Sequence, residues 1–271
     1  MKTIAIKQRL TAAKHLTEAL QCDLHRPCLS NNALLHISQQ KIHKQYLKDR
    51  GDNLSILPQL NPRLYSLCQE VQKKLHCTRR IDFLLQNRGY AGASAFSSPD
   101  GQDASVISIN AGTIERMTDD ELKWLIGHEI GHIINRDTEL GCWFDAFCDQ
   151  CADILSLEMK HNMHFYELLS EFEADRYGLL ACGSEQTAMR ALNIVSTGVE
   201  PEHFDLDTFV NFYHNLALYF LKEHQCLGNT HPAFPLRIEA LHIYANAKND
   251  ADLLKQMKTI IAILEYYVKH S

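Results

Sequence analysis

No run of roughly 18 or more uninterrupted apolar residues, the length that a membrane-spanning helix needs, occurs in this 271-residue chain. The first twenty residues carry Lys2, Lys7, Arg9, Lys14 and Glu18 at helical spacing and lack the apolar core of an export signal. There is no long basic run and the formal net charge is −6, which argues against nucleic acid as a partner. No internal repeat or low-complexity segment is visible, so repeat arrays are excluded. Cys-x-x-Cys occurs once, at Cys148-Asp149-Gln150-Cys151, with no second pair and no surrounding βαβ pattern. Its neighbours Trp143, Phe144, Phe147, Ala152 and Ile154 suggest a buried helix. We therefore read two ordinary core thiols. A redox or zinc-storage protein remains the alternative, resting on these two residues alone. Nine cysteines, an odd number, without an export signal suggest a reducing compartment, so a cytoplasmic protein is expected.

His128-Glu129-Ile130-Gly131-His132 is what decides the chemistry. On a helix, residues four apart share a face, so His128 and His132 can hold one metal ion and Glu129 can reach a water beside it. The bland alternative is an amphipathic helix that carries two histidines by chance. The upstream residues favour the motif. Thr118-Asp119-Asp120-Glu121 has the form of a capping box, and its acids suit the positive end of the helix dipole. Gly127 and Gly131, also four apart, each cost about 1 kcal/mol relative to Ala in a helix interior. They imply a close neighbour on that face, either a second ligand-bearing helix or ordinary tight packing.

A catalytic zinc site needs a third protein ligand and an open fourth position. The extended His-Glu-x-x-His-x-x-Gly-x-x-His pattern is absent, because Asn135 and Thr138 stand where its glycine and histidine would be. A glutamate from a later helix is the remaining common solution. In the helical stretch from Tyr166 to Tyr177, Glu171 and Asp175 are four apart. Glu171 is the expected third ligand, with Asp175 one turn on to accept the free N–H of a ligating histidine. Glu173 points elsewhere and reads as a solvated charge. Glu139, Glu158, His161 and His164 compete for the ligand role but read as surface residues.

These residues resemble the gluzincin metalloendopeptidases that include the CAAX prenyl proteases and the HtpX-type heat-shock membrane proteases. The resemblance runs over roughly residues 62 to 245. It is carried by Ser94-Ala95-Phe96, the strand Ser105 to Asn110, Gly112 to Met117, Asp119 to Leu122, the His128–His132 motif, Glu171-Phe172-Glu173-Ala174-Asp175, and Thr230-His231-Pro232 followed by Arg237-Ile238. The His132-to-Glu171 interval is longer than in thermolysin-like enzymes and agrees with this family. Ser94 departs from it, since family members usually carry asparagine before Ala-Phe. Spanning helices, which the membrane members have, are also missing.

The resemblance implies a mainly α (α+β), zincin-like fold with a small antiparallel sheet beside the active-site helix, and one zinc per chain. Residues 1–60 read as an N-terminal helical extension and 61–271 as the catalytic domain with C-terminal helices. Expected elements are a helix over Leu64–Cys77, a strand Ile81–Gln86, and a hairpin joining Ala93–Ser97 to Ser105–Asn110 through Ser98-Pro99-Asp100-Gly101. Helices over Leu206–Glu223, Pro235–Ala247 and Ala251–Lys269 follow. The strand Ser105–Asn110 is expected at the sheet edge, where it can pair with an extended peptide or an unfolded protein substrate. Glu129 is the expected general base. His231 is the candidate oxyanion donor, partly on the resemblance, with a helix-capping loop histidine as its alternative. A catalytically silent peptide binder is the main rival function, although a pure binder has no need of Glu129.

Overall fold

Ser105 to Asn110 mixes three polar with three aliphatic residues, yet all six positions are buried, as befits a strand flanked on both sides. In the computed structural model, which describes residues 32–97, 104–151, 156–223 and 231–270, this strand lies inside a four-stranded sheet. In chain order the elements begin with α1 (Asn32–Asp52), β1 (Leu54–Ser55), α2 (Pro62–Lys74), β2 (Ile81–Gln86), β3 (Ala93–Phe96) and β4 (Ser105–Asn110). They continue with α3 (Ala111–Arg116), α4 (Asp119–Asn135), α5 (Asp137–Cys151), α6 (Leu157–Cys182), α7 (Glu185–Thr197), α8 (Leu206–Lys222), α9 (Phe234–Asn246) and α10 (Asp250–His270). The protein is mainly helical with one small sheet, the fold class its sequence indicates.

The sheet differs from expectation in two ways. It is mixed rather than antiparallel, because β2 and β4 run parallel in the centre while β1–β2 and β3–β4 are antiparallel. Its order is β1-β2-β4-β3, so β4 is interior and β3 is the edge beside α4. The expected β3–β4 pairing is present, in the register Ala93↔Ile109 through Phe96↔Val106. The expected turn at Ser98–Gly101 lies outside the described residues, as do residues 1–31 of the expected N-terminal extension. β1 pairs with β2, and Ile56 is buried with its N–H donated to the Phe83 carbonyl at 2.8 Å. Residues 54–56 thus join the sheet ahead of the expected boundary at residue 60.

The start of β3 is pinned from α3. The Thr113 hydroxyl accepts the Gly92 N–H at 2.8 Å and donates to the Gly92 carbonyl at 2.7 Å. That carbonyl also takes the Asn110 N–H at 3.0 Å. Gly92 therefore faces β4, and the period of two turns the backbone groups of Ala93 and Ala95 away from it, toward α4.

α4 begins with the expected capping box: Thr118 Oγ1 accepts from the Glu121 N–H, and the Glu121 carboxylate accepts from the Thr118 N–H at 2.8 Å. It packs on α6 in the most extensive contact of the fold. Small residues set that distance. A Cβ at Gly131 would lie 2.9 Å from the Tyr177 Cβ, and one at Gly178 would lie 2.8 Å from the Trp124 carbonyl. A Cβ at Gly127 would collide with Ala181. Both glycines of α4 thus serve the close approach of α6, the helix that carries Glu171. α10 closes the core with Leu253, Met257, Ile260, Leu264 and Val268, one apolar stripe at helical spacing.

Candidate metal centre

Because His128 and His132 are one turn apart on α4, their rings meet edge to face with centroids 4.8 Å apart. Their Nε2 atoms are 3.2 Å apart. α6 brings Glu171 to the same point, with Oε2 3.6 Å from His128 Nε2 and Oε1 3.5 Å from His132 Nε2. Three ligands about 2.1 Å from one tetrahedral zinc would sit ~3.4 Å from each other. The three donors lie within 4.8 Å of one another, close to that spacing, so the residues present fit such an ion. Glu171 Oε2 is also a buried oxygen with no hydrogen-bond partner, which a cation would satisfy. Among the described residues this is the one group of three or more His, Cys, Asp or Glu placed to hold a metal.

The other ring nitrogens are held from behind. His128 Nδ1 donates to Asp175 Oδ1 at 3.0 Å, and His132 Nδ1 donates to Asp137 Oδ2 at 3.0 Å. With a carboxylate acceptor at each Nδ1, each ring in its neutral form carries its lone pair on Nε2, facing the cluster. Asp175 is clamped by Arg237, whose Nε and Nη2 donate at 2.8 and 2.6 Å. Asp137 takes the Tyr166 hydroxyl at 2.5 Å. Asp137 reaches back to His132 because Arg136 ends α4 in a left-handed conformation, φ 66°, and α5 starts at once.

Burial opposes charge throughout this site. At Asp175 the Arg237 charge and hydrogen bonds outweigh it and hold the carboxyl at about 2. Glu171 is also held low, by Arg237 and the three histidines around it. His132 is raised to about 9, since the Asp137 bond and the Glu171 charge overcome burial. Glu129 goes the other way: burial pushes its carboxyl up despite the flanking histidines and an N–H donated by Ala95.

The site opens into a cleft of about 400 Å³ lined by β3 on one side and α4 and α6 on the other. His128, Glu129, His132, Glu171 and His231 all line it, and Asp175 lies just behind. His231 is half-exposed, with Nε2 3.4 Å from Glu171 Oε2, and burial with the Arg237 charge lowers its pKa. Thr230 lies outside the described residues.

Other expectations change. Glu173 is buried, not solvated, with Arg176 Nη2 3.9 Å away. Glu139 is not a surface residue either, being buried and bonded to Arg79 and Arg136. Glu158 is exposed, and His161 and His164 are partly exposed. None of these joins the metal group. Cys148 is half-buried, and the Cys151 side chain lies outside the described residues.

Asp137, Tyr166 and Arg237 were not foreseen as parts of the site. Asp137 gives one local signal, an acid placed just past the end of the ligand helix. Arg237 stands among the residues that carry the resemblance, but no signal in the sequence assigns it a partner or a role.

The fold and site define a helical protein in which a His-Glu-x-x-His helix and a glutamate-bearing second helix bring together a cluster that could hold a metal ion. Residues 58–145 match the family model described as Peptidase family M48. Two curated relatives named Protease HtpX homolog are similar to it. The one from Nostoc punctiforme (strain ATCC 29133 / PCC 73102) is 30% identical over 77 residues, 28% of this chain and 26% of the relative. The one from Trichormus variabilis (strain ATCC 29413 / PCC 7937) is 29% identical over 77 residues, with the same shares. The chain thus matches about a quarter of the length of these relatives. No solved structure matches. Over residues 58–145 the chain is therefore similar to the M48 peptidases. The family match ends before Glu171, Asp175, His231 and Arg237, whose assignment rests on geometry.

Proposed function

We propose that this protein is a zinc-dependent endopeptidase, with residues 61–271 as its catalytic unit and β1 added to its sheet. The observation that carries the reading is Glu129. It is a buried carboxylate inside the cleft, beside three metal-competent donors, of which the two histidines are oriented by other carboxylates. A metal-binding protein without turnover has no use for it.

His128 Nε2, His132 Nε2 and Glu171 would hold the zinc. When bound, zinc supplies Lewis-acid chemistry, making water acidic near neutral pH and polarising a carbonyl. Glu129 takes the proton of the attacking water on a carboxylate oxygen and returns it to the leaving amine. Burial raises its pKa toward the range in which it can do both. Asp175, Arg237 and Asp137 keep the two imidazoles in the tautomer that donates a lone pair to the centre. The outward backbone groups of Ala93 and the Ala95 carbonyl bind an extended peptide by strand addition, the Ala95 N–H being taken by Glu129. This assigns to β3 the edge role expected of β4. His231, at the rim, donates to the developing oxyanion. Among the described residues, no helix is long and apolar enough to cross a membrane.

The test is casein or peptide cleavage by purified protein, before and after chelation and after zinc is restored. Activity that disappears and returns with one equivalent of zinc supports the reading. Zinc binding without cleavage of any substrate would assign the chain to the silent binders.

A further inference from the structure

Four carboxylates line the cleft: Glu129, Asp137, Glu167 and Glu171. Three have partners or roles already. Glu171 belongs to the metal group, Glu129 accepts from Ala95, and Asp137 is bonded to His132 and Tyr166. Glu167 is different. Its side chain is 48% exposed, and its ion-pair neighbour, His164 Nδ1, stands at 3.7 Å, beyond hydrogen-bond reach. Glu167 lies one helical turn before Glu171 on α6, so it projects into the same cleft about 6 Å along from the ligand. β3 also lines this cleft, through the small residues Ala93, Ser94 and Ala95.

We infer that Glu167 is a specificity determinant that selects a lysine or arginine beside the scissile bond of the substrate. This rests on the peptidase reading above. A peptide laid along β3 advances about 3.3 Å per residue, so the turn between Glu171 and Glu167 spans about two substrate residues. The alkyl stem of a basic side chain would lie against Ala93 and Ala95 while its charged end meets the Glu167 carboxylate. An acidic residue at that position would meet a like charge. Since Glu167 is half-exposed, the preference is modest and is screened by salt.

The experiment uses alanine-rich fluorogenic octapeptides that carry Lys, Gln or Glu at one of the two positions on either side of the central bond. Mass spectrometry locates the cut. The expected order at one of these positions is Lys over Gln over Glu, each step about 3- to 10-fold in kcat/KM, narrowing in 0.5 M salt. Glu167→Gln should flatten the order and Glu167→Lys should reverse it. The same peptides are titrated by fluorescence anisotropy onto zinc-loaded Glu129→Gln protein, which needs no turnover. The same order in binding without any cleavage would uphold the role of Glu167 and sink the peptidase reading. Cleavage that treats Lys and Glu peptides alike, or an order that survives unchanged in Glu167→Lys, would overturn the inference and leave the peptidase reading intact. Peptides that neither bind nor are cut would overturn both.

Discussion

Arg237 grips Asp175 through two hydrogen bonds, Nε to Oδ2 at 2.8 Å and Nη2 to Oδ1 at 2.6 Å, and Asp175 in turn accepts His128 Nδ1 at 3.0 Å. The orientation of His128, a candidate metal ligand on α4, therefore depends on a cation from α9. Both charges are buried, so removing one leaves the other uncompensated. Arg237→Gln should cost about 3–5 kcal/mol in stability, read from denaturant unfolding. Asp175→Asn should weaken zinc binding about 10- to 100-fold, read by competition with a chromogenic chelator. Wild-type stability and affinity in both variants would show that the clamp is irrelevant to the site.

Proton release gives a second prediction. His132, raised to about 9 without metal, must lose its proton to serve as a ligand. At pH 7.5 zinc uptake should expel close to one proton from it. Affinity should rise by about one decade per pH unit and level off near pH 9. Calorimetry in buffers of different ionisation enthalpy counts the proton. The sign for metal-free stability is opposite. A histidine raised by folding contributes fully below its unfolded value of 6.5, and that contribution is lost as pH rises through about 9. Binding without proton release and independent of pH would contradict the Asp137–His132 arrangement.

The α4–α6 contact sets two effects against each other. Gly131→Ala gains about 1 kcal/mol of helix propensity. It also places a Cβ 2.9 Å from that of Tyr177, and overpacking typically costs about 1–3 kcal/mol. Gly127→Ala collides with Ala181 and approaches the Tyr177 carbonyl at 3.0 Å, which cannot turn away as a flexible side chain can. We expect net destabilisation for both, larger at Gly127, with weaker zinc binding because the helices that carry His128, His132 and Glu171 are forced apart. A higher melting temperature for Gly127→Ala would refute the packing argument.

His231→Ala should lower turnover about 10²–10³-fold with a smaller change in substrate binding, as for loss of an oxyanion donor. Steady-state kinetics on a cleaved peptide, with folding checked by circular dichroism, separates the two parameters. An unchanged turnover number would make His231 a loop residue only.

Much of the site was legible because its signals are local. The i, i+4 histidines, the capping box at Thr118 and the Glu171/Asp175 pair all follow from helical spacing, and the glycines announced a close neighbour. What was missed depends on contacts distant in sequence or on a turn. Arg237 meets Asp175 only because α9 packs on α6. Asp137 meets His132 only because Arg136 turns left-handed. Glu173 reads as solvated from its charge alone, and its burial follows from packing and the nearby Arg176. The sheet order was misjudged because strand pairing is not a local property. β3 is short and weakly patterned, yet it forms the edge beside the cleft.

The most direct test of the account is the zinc content and peptide hydrolysis rate of Glu129→Gln measured on one preparation. Glu129 is not a ligand in this geometry, so the variant should keep one zinc per chain while hydrolysis falls about 10²–10⁴-fold. A fully loaded variant that still cleaves at the wild-type rate would contradict the assignment of Glu129 as general base, and with it the proposed mechanism.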